Sequence, residues 1–360
     1  MVEWKKLGEV CEFERGRTIT AKDAVDGDIP VIAGGQTPSY YHNEANREGE
    51  SITVAGSGAY AGFVSYWNQP IFVSDAFTVE PKELLSHKYL YHWLKKNQEK
   101  IHATQKGAGV PHVHGKDIAN FLIPIPSLQE QERIVGILDM FTASIDNIKA
   151  QIEQRRKQYE HYRNTLLTFN KDDDNVEWKT LGEVAYYPQE KISASKLNKT
   201  NYVSVENLLQ NKAGKVYSSC CPQEGNWKKY EIGDILIGNI RPNLRKIWLA
   251  NIIGGTNGDV LTIRINDTYK HNISTNFLYY ILSSEDFFLY DIQNAKGAKM
   301  PRGDKKVILD YPIPLPSLQE QQRIVSILDT FEASINNLEA QLEQRQKQYE
   351  YYREKLLTFE

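Results

Sequence analysis

The chain has 360 residues, of which 41% are apolar and 11% aromatic, and its formal net charge at pH 7 is −3. This composition excludes a disordered chain and predicts one large core or, more naturally, two domains of ordinary size. Because the sequence has neither an apolar run of about 18 residues nor a signal-peptide pattern at its start, we expect a soluble, cytoplasmic protein that binds no membrane.

Residues 1–125 form a predicted first globular domain, which opens with VEWKKLGEV. Strand-like runs follow in IPVIAG, SITVAG, GFVSYW and IFVSDAFTV, separated by glycine and asparagine turns. An amphipathic helix is predicted around HKYLYHWLKKNQEKI. The pattern indicates a mixed sheet with helices.

Two turns of this domain are candidates for a binding surface. One holds Gln36, Thr37, Ser39, Tyr40 and Tyr41, and the other is GSGAYAGF with Tyr60. Polar and aromatic side chains in such turns could contact a polar ligand, although turns that connect strands favour the same residues.

A glycine-rich basic loop, KGAGVPHVHGK, closes the first domain and carries Lys106, His112, His114 and Lys116. A flexible basic loop held at one end suits contacts to phosphates or base edges. Surface loops also carry lysine and glycine for turns and solubility, so both interpretations stay open.

Residues 126–169 predict a long helix. Ser127 and Glu130 form a capping box behind Pro126. Apolar residues then recur in a 4-3 alternation from Ile134 to Phe169 over about five heptads, interrupted only by Arg155. This is the seam of a coiled coil, and the polar residues 170–176 form a linker after it.

The sequence of this helix occurs twice in the chain. A shift of 190 residues aligns residues 126–169 with 316–359 without a gap, and 32 of the 44 positions are identical. The opening also recurs as VEWKTLGEV from Val176. Since each seam needs a partner, we expect residues 126–169 and 316–360 to pair with each other in opposite directions as a rod. Arg155 and its counterpart Arg345 could set the register through a carboxylate or extend out of the seam.

Residues 177–315 form a predicted second domain with 18 basic against 14 acidic residues. Strands are predicted at NYVSV, GDILIGNI, KIWLAN and DVLTIRI, and one helix around TNFLYYILSSEDFFLYDI. Outside the repeated segments this block looks unrelated to the first. Its candidate binding residues are the following: Arg241, Asn243, Arg245 and Lys246 in one stretch, and Lys296, Lys299, Arg302, Lys305 and Lys306 in a loop aligned with KGAGVPHVHGK. Arginine and asparagine can make bidentate contacts to guanine and adenine edges.

No pattern of catalytic chemistry accompanies these loops. The sequence lacks a phosphate-binding G-x-x-x-x-G-K-[ST] loop, an H-E-x-x-H pair and paired cysteines, since two of its three cysteines are adjacent. His112 and His114 could ligate a metal as a pair, but no further ligands lie nearby in the sequence. We expect no catalytic site and no metal site in this chain.

Two divergent blocks alternate with two near-identical helices, each preceded by I-P-[IL]-P-S-L-Q-E-Q-x-R-I-V-x-I-L-D at Ile123 and Ile313. This pattern resembles the specificity subunit of type I restriction-modification systems over essentially the whole chain. The resemblance implies an α+β fold of two mixed target-recognition domains separated by a long antiparallel coiled coil with pseudo-two-fold symmetry. It also implies that each domain reads one half of an asymmetric bipartite site in double-stranded DNA.

The resemblance further implies partners. Two methyltransferase subunits that bring S-adenosylmethionine would dock on the rod, and restriction subunits, which act as translocase and nuclease, would join them. This chain itself would hold no cofactor. Two other hypotheses are a coiled-coil adapter that binds only proteins and an enzyme with an unrecognised site. DNA binding together with the methyltransferase would exclude the adapter, and activity of the isolated chain would indicate the enzyme.

Overall fold

The chain is described here by a computed structural model covering residues 2–107 and 109–359. It divides into two units. The first unit runs up to Gln151 and includes the chain from Leu338 onward, and the second unit is Ile152–Asn337. Each long helix contributes one part to each unit, because helix α5 spans Leu128–Leu167 and helix α10 spans Leu318–Leu356.

The first unit contains nine strands and four shorter helices within its described residues before α5. These are β1 Glu3–Lys6, α1 Leu7–Val10, β2 Cys11–Arg15, β3 Ile29–Ile32, β4 Tyr40–His42, β5 Glu50–Ala55, β6 Val64–Asn68, β7 Phe72–Val73, β8 Ala76–Pro81, α2 His87–Lys96, α3 Gln98–His102, α4 Gly115–Ile118 and β9 Leu122–Ile125.

The second unit follows the same plan after α5. Its elements are β10 Glu177–Thr180, α6 Leu181–Val184, β11 Ala185–Tyr186, β12 Lys191–Ser193, β13 Tyr202–Val203, β14 Asn226–Tyr230, β15 Ile235–Gly238, β16 Ile247–Leu249, β17 Gly254–Thr256, β18 Val260–Ile265, α7 Thr275–Leu282, α8 Glu285–Gln293, α9 Lys305–Leu309 and β19 Pro312–Leu315. Short 3₁₀ turns lie at Ala194–Lys196, Pro242–Leu244 and Asp267–Tyr269.

The two variable blocks share the topology of their main sheet, although their sequences look unrelated, while their smaller sheets have three and four strands. The main sheet has the order β2-β8-β5-β6 in the first unit and β11-β18-β15-β16 in the second, with all neighbours antiparallel. Each smaller sheet contains one parallel pair, β3 with β7 and β13 with β17. The sequence comparison missed this likeness because ladders are built from backbone groups and constrain side chains only by facing and burial.

Pairing of strands explains why the opening segments are repeated. β1 pairs with β9 so that Trp4 lies opposite Pro124, and β10 pairs with β19 so that Trp178 lies opposite Pro314. The Pro-x-Pro segments are therefore strands of two-stranded sheets, where a proline without an N–H is tolerated at an edge. Each opening segment fixes the start of the long helix that follows its partner strand.

A repeated glutamine joins each domain to its long helix. Gln131, which is fully buried, donates to the carbonyl oxygens of Leu84 and Pro126 and accepts from the backbone N–H of Ser86. In the second unit the buried Gln321 makes the same three hydrogen bonds with the carbonyls of Asn272 and Pro316 and the N–H of Ser274. A buried amide with all these bonds satisfied fixes the helix start against the domain.

Within each unit the long helices run antiparallel, as predicted. In the first unit the Phe141 ring stacks on Tyr352 with centroids 5.2 Å apart, while Ile134 and Leu138 share a core with Leu357. The second unit brings Tyr162 to 5.2 Å from Phe331. Later residues of α5 thus contact earlier residues of α10.

Each of the two seam arginines contacts an aromatic ring, a partner that was not considered from the sequence. The guanidinium carbon of Arg155 lies 5.7 Å from the ring centroid of Phe331, and that of Arg345 lies 5.7 Å from the ring of Phe141. Each stacks on an aromatic ring of the other helix, a cation–π contact that a half-buried seam position favours.

The predicted fold class, α+β with two mixed domains and a pair of repeated antiparallel helices, is confirmed. Three predicted elements are each divided in two. The helix expected around HKYLYHWLKKNQEKI is α2 and α3, and the strand expected over IFVSDAFTV is β7 and β8, which belong to different sheets. The single helix expected around TNFLYYILSSEDFFLYDI is two helices, α7 and α8. Ser283 ends α7, and the Ser284 hydroxyl caps α8 by accepting from the N–H of Phe287, so adjacent serines interrupt the apolar pattern.

Candidate nucleic-acid interface

The basic loop of the first domain folds back on itself and on the end of β5. Lys106 and His112 exchange both backbone hydrogen bonds, at 3.0 and 2.8 Å. Val113 donates to the carbonyl of Gly56 and Gly58 donates to the carbonyl of Pro111, both at 3.0 Å. These bonds bring the predicted loop and the predicted GSGAYAGF turn together.

The turn that follows β3 packs on the same place. A side chain at Gly34 would put its β-carbon 2.4 Å from the carbonyl oxygen of Ser57, so only glycine allows this approach. The Ser57 hydroxyl donates to the carboxylate of Asp75, which precedes β8. Three loops thus meet at one end of the main sheet, a usual position for binding residues on a rigid framework.

A cavity of about 440 Å³ lies beside these loops. It is lined by Phe13, Arg15, Asp75, His112, His114 and Lys116, among others. Arg15 and Asp75 were not among the residues predicted from the sequence. The basic pair in EFERGR, just beyond the repeated LGEV, is a signal that could have identified Arg15.

The predicted residues of the first domain differ in their exposure. Gln36, Thr37, Ser39, Tyr41, Tyr60, Lys106, His112, His114 and Lys116 are exposed. Tyr40 is half-buried, and its hydroxyl donates to the carbonyl of Ile19 at 2.6 Å. The rings of His112 and His114 lie 6.2 Å apart and nearly parallel, so they present one imidazole surface at the loop.

An ion pair joins the start of the loop to the helix that follows it. The Lys106 ammonium contacts the Asp117 carboxylate, and this contact holds the pKa of Asp117 below its usual value. The corresponding pair in the second domain is Lys296 with Asp304. Both lysines therefore serve the loop structure at least in part.

In the second domain the same backbone ladder recurs. Lys296 and Arg302 exchange both backbone hydrogen bonds, at 2.8 and 2.9 Å, and Gly303 donates to the carbonyl of Asn239. Arg241 donates to the carbonyl of Pro301 at 2.8 Å. His112 and Arg302 consequently occupy equivalent positions in two domains of different sequence.

The stretch GNIRPNLRKIW forms a tight turn with two strained residues. Arg241 and Arg245 have φ values of 54° and 49°, in the left-handed region that non-glycine residues rarely adopt. The 3₁₀ turn Pro242–Leu244 lies between them. This conformation leaves Arg241 and Asn243 exposed.

The two other basic residues of that stretch have internal partners. The Arg245 guanidinium contacts both carboxylate oxygens of Glu285 at 2.8 Å, which raises the arginine pKa. Lys246 donates to the carbonyl of Val205 at 2.7 Å, and its partial burial lowers its pKa. Contact of these two side chains with DNA stays a prediction, but in this structure they hold the turn.

A cavity of about 470 Å³ is lined by residues of both the turn and the loop. Tyr202, Cys220, Arg241, Lys246, Asp259 and Met300 line it, together with other residues. Arg302 lies 3.3 Å from the Asp259 carboxylate at the rim, and its side chain is 53% exposed. Lys299 and Lys305 are also exposed on this loop.

No group of three or more histidine, cysteine, aspartate or glutamate side chains within residues 2–107 and 109–359 is arranged to hold a metal ion. Over the same ranges, no helix combines the length and apolar character needed to cross a bilayer.

Comparison with known proteins identifies the family. The chain matches the type I restriction modification DNA specificity domain over residues 1–155 and again over 173–346. It is 28% identical to the specificity subunit of the Escherichia coli type I restriction enzyme EcoR124I/EcoR124II, over 99% of this chain and 94% of that protein.

Solved structures share the fold at low sequence identity. The crystal structure of the type I restriction-modification S subunit from M. genitalium has a TM-score of 0.68 at 19% identity and covers 100% of this chain and 97% of that one. A chain from a study of complex assembly and conformational transition in the type I system gives 0.58 at 19%, with 99% and 97% covered. The chain therefore belongs to the family of type I restriction-modification DNA specificity subunits, and its two domains are DNA recognition domains.

Proposed function

We propose that each recognition domain reads one half of an asymmetric bipartite DNA target through the loops at the end of its main sheet. The equivalence of His112 and Arg302 carries the proposal, because one framework presents different side chains at one place. A fixed backbone with exchanged loop residues is what two different half-sites require, since phosphate contacts position a protein and base contacts specify the sequence.

The exposed side chains of the two domains suit two different half-sites, and they suit a division between base contacts and phosphate contacts. In the second domain Arg241, Asn243 and Arg302 are exposed and of the types that pair with base edges, while the exposed Lys299 and Lys305 suit phosphates. In the first domain the imidazoles of His112 and His114 and the turn with Gln36 and Thr37 present hydrogen-bonding groups of another kind. Two dissimilar half-sites follow from two dissimilar sets of groups.

The paired helices would set the spacing of the half-sites and dock two methyltransferase subunits. S-adenosylmethionine would enter with those subunits, which would extrude and methylate the adenine. This chain would contribute no catalytic group, and restriction subunits would complete the nuclease. Membership of the specificity-subunit family supports these partners.

The test is to map methylated adenines in a host that carries the full system with wild-type or variant specificity subunit. Deleting Ile145–Gln151 together with Ile335–Gln341 removes one heptad from each helix, about 10 Å of rise or about three base pairs. The spacer should change while both half-site sequences stay the same. Altered half-sites with an unchanged spacer would contradict the proposal.

A protein-only adapter is the second candidate. It predicts that the chain with its methyltransferase partner shifts no duplex DNA in a gel, whatever the sequence. Selective retention of the methylated target over a scrambled duplex of the same length would exclude it.

A further inference from the structure

Asp291 is a buried carboxyl group without a hydrogen-bond partner in the described part of the chain. It lies on α8 with 1% of its surface exposed, and neither carboxyl oxygen makes a hydrogen bond to another described residue. An ionised carboxylate in such a place is costly, because burial removes its hydration.

The first domain has apolar packing at the same position. The 190-residue shift that aligns the two basic loops puts Asp291 opposite Ile101, and Ile101 is fully buried. The loop ladder likewise puts Gly303 opposite Val113. The apolar pair Ile101 and Val113 of the first domain is therefore replaced by Asp291 and Gly303 in the second domain.

The space left by Gly303 is filled by polar oxygens. A β-carbon at Gly303 would lie 2.2 Å from Oδ1 of Asp291 and 2.8 Å from Oδ1 of Asn239, so these two oxygens are no more than about 5 Å apart. Asn239 is 4% exposed, and its Oδ1 also has no partner among residues 2–107 and 109–359. Two buried acceptors near each other lack a donor between them.

We propose that Asp291 is a positioning residue whose carboxyl group is protonated in the competent domain and donates its hydrogen to Oδ1 of Asn239. The bond ties α8 to the two loops that carry Arg241 and Arg302, because Asn239 precedes the first loop and accepts from Gly303 in the second. This inference rests on the proposed function, since it makes DNA recognition by the second domain alone depend on pH.

The electrostatic surroundings support a neutral acid. Burial raises the pKa of Asp291 to about 7. Tyr187 faces it after β11, and the pKa of that phenol is raised by burial and then by Asp291 and Asp304. The loop that carries Gly303 also carries Lys296, which pairs with Asp304, and Arg302, which pairs with Asp259. On α8 itself the other titratable groups are Glu285, Asp286 and Tyr290.

Ionisation should loosen the loops. A group whose pKa is raised on folding contributes its stabilisation at low pH and loses it as the pH rises through the folded value. Above pH 7 the carboxylate and the Asn239 oxygen would repel each other, and the Arg241 and Arg302 loops would lose their common support. The first domain, with Ile101 at this place, contains no such group there.

The first experiment measures the protonated acid directly in the full-length chain. Infrared difference spectra of wild type against Asp291→Asn at pH 6 should show the carbonyl band of a protonated carboxylic acid, and the band should vanish by pH 8.5. The matched control, Asp286→Asn, changes an exposed carboxyl on the same helix and should remove no such band. If Asp291 is ionised at pH 6, for example by accepting from a rotated Asn239 amide, the band will be absent and the proposal is wrong.

The second experiment measures the affinity for DNA as a function of pH. With the methyltransferase present, wild-type affinity for the duplex that contains the mapped methylation site should fall roughly tenfold from pH 6 to pH 8 if only the protonated form is competent. Asp291→Asn keeps a hydrogen-bond donor that does not titrate, so its affinity should not fall over this pH range. The control Asp286→Asn keeps Asp291, so its affinity should fall as that of the wild type does. An equal fall in all three proteins would overturn the proposal. A wild type that never prefers the mapped duplex over a scrambled one would instead contradict the proposed function, while the infrared result would stand by itself.

Discussion

The guanidinium of Arg155 lies over the ring of Phe331, 5.7 Å from its centroid, and thereby joins the two repeated helices within the second unit. The same arginine donates to Oε1 of Gln158 on its own helix at 3.2 Å. Arg345 repeats both contacts in the first unit, with the ring of Phe141 and with Oε1 of Gln348. A cation at a seam position therefore has an aromatic partner.

We expect Arg155 and Phe331 to be energetically coupled. A double-mutant cycle of Arg155→Met and Phe331→Leu should give a coupling of about 0.5–1 kcal/mol, because a half-buried cation–π contact has that strength. Urea unfolding of the four proteins measures it, and the cycle of Arg345→Met with Phe141→Leu should give a similar value. Strictly additive effects in both cycles would show that the stacking contributes nothing.

The long helices were predictable because their signals are local. The capping box places the start, and in the structure the N–H of Glu130 donates to the Ser127 hydroxyl at 3.3 Å. The 4-3 spacing then requires an apolar partner, and the second copy is the nearest one. The shared sheet of the two domains was not predictable in this way, because its strands pair residues far apart in sequence with no common side chains.

The sequence predicted where the candidate site lies better than it predicted what each of its residues does. Glycine, lysine and arginine in aligned loops indicated where the surface lies, and the structure brings those loops to the end of each sheet. The roles of Arg245 and Lys246 depend on Glu285 and Val205, about forty residues away in each case. A single sequence contains no local signal for such tertiary partners, just as it gave no sign that Asp75 would bind Ser57.

Arg245 should act on DNA binding through the turn. Arg245 has a left-handed backbone and its guanidinium contacts Glu285. If this contact supports the turn, Arg245→Gln and Glu285→Gln should weaken binding of the cognate duplex to a similar extent, and the double variant no further. Titration of duplex at fixed salt measures this. A much larger loss with Arg245→Gln alone would indicate that the guanidinium itself contacts DNA.

The same pair should give a pH-dependent contribution to stability. Arg245 holds the pKa of Glu285 below 4.5, so the stabilisation is present above that pH and is lost as the pH falls through the lower folded value. Because Glu285 is 42% exposed, solvent screening limits the effect to about 0.5–1 kcal/mol. The difference in unfolding free energy between wild type and Glu285→Gln should be present at pH 7 and should shrink as the pH falls below the usual range of a glutamate carboxyl and through its lowered folded pKa. A difference that does not shrink before the chain unfolds in acid would contradict this origin.

The three thiols should differ in reactivity. Burial raises the pKa of Cys11 to about 12, whereas Cys220 is exposed and Cys221 is partly exposed. Because the thiolate is the reactive form, we expect Cys11 to react with a disulfide reagent at pH 8 only after unfolding, and the two others to react in the native chain. A native thiol count for wild type and Cys11→Ala, which should be equal, checks this, and rapid loss of a third thiol would contradict the burial of Cys11.

Arg302 and His112 should control one half-site each. Arg302→Ala should weaken binding of the cognate duplex by about 1–3 kcal/mol if the guanidinium contacts a base edge, and should relax the sequence requirement in one half-site only. His112→Ala should relax the other half-site. Lys100→Ala and Lys270→Ala, exposed positions outside the loops, are the matched controls and should leave the methylation pattern unchanged. Mapping methylated adenines for all four variants measures the effect. If both loop variants relax the same half-site, the two loops read one sequence together, and the assignment of one half-site to each domain is wrong.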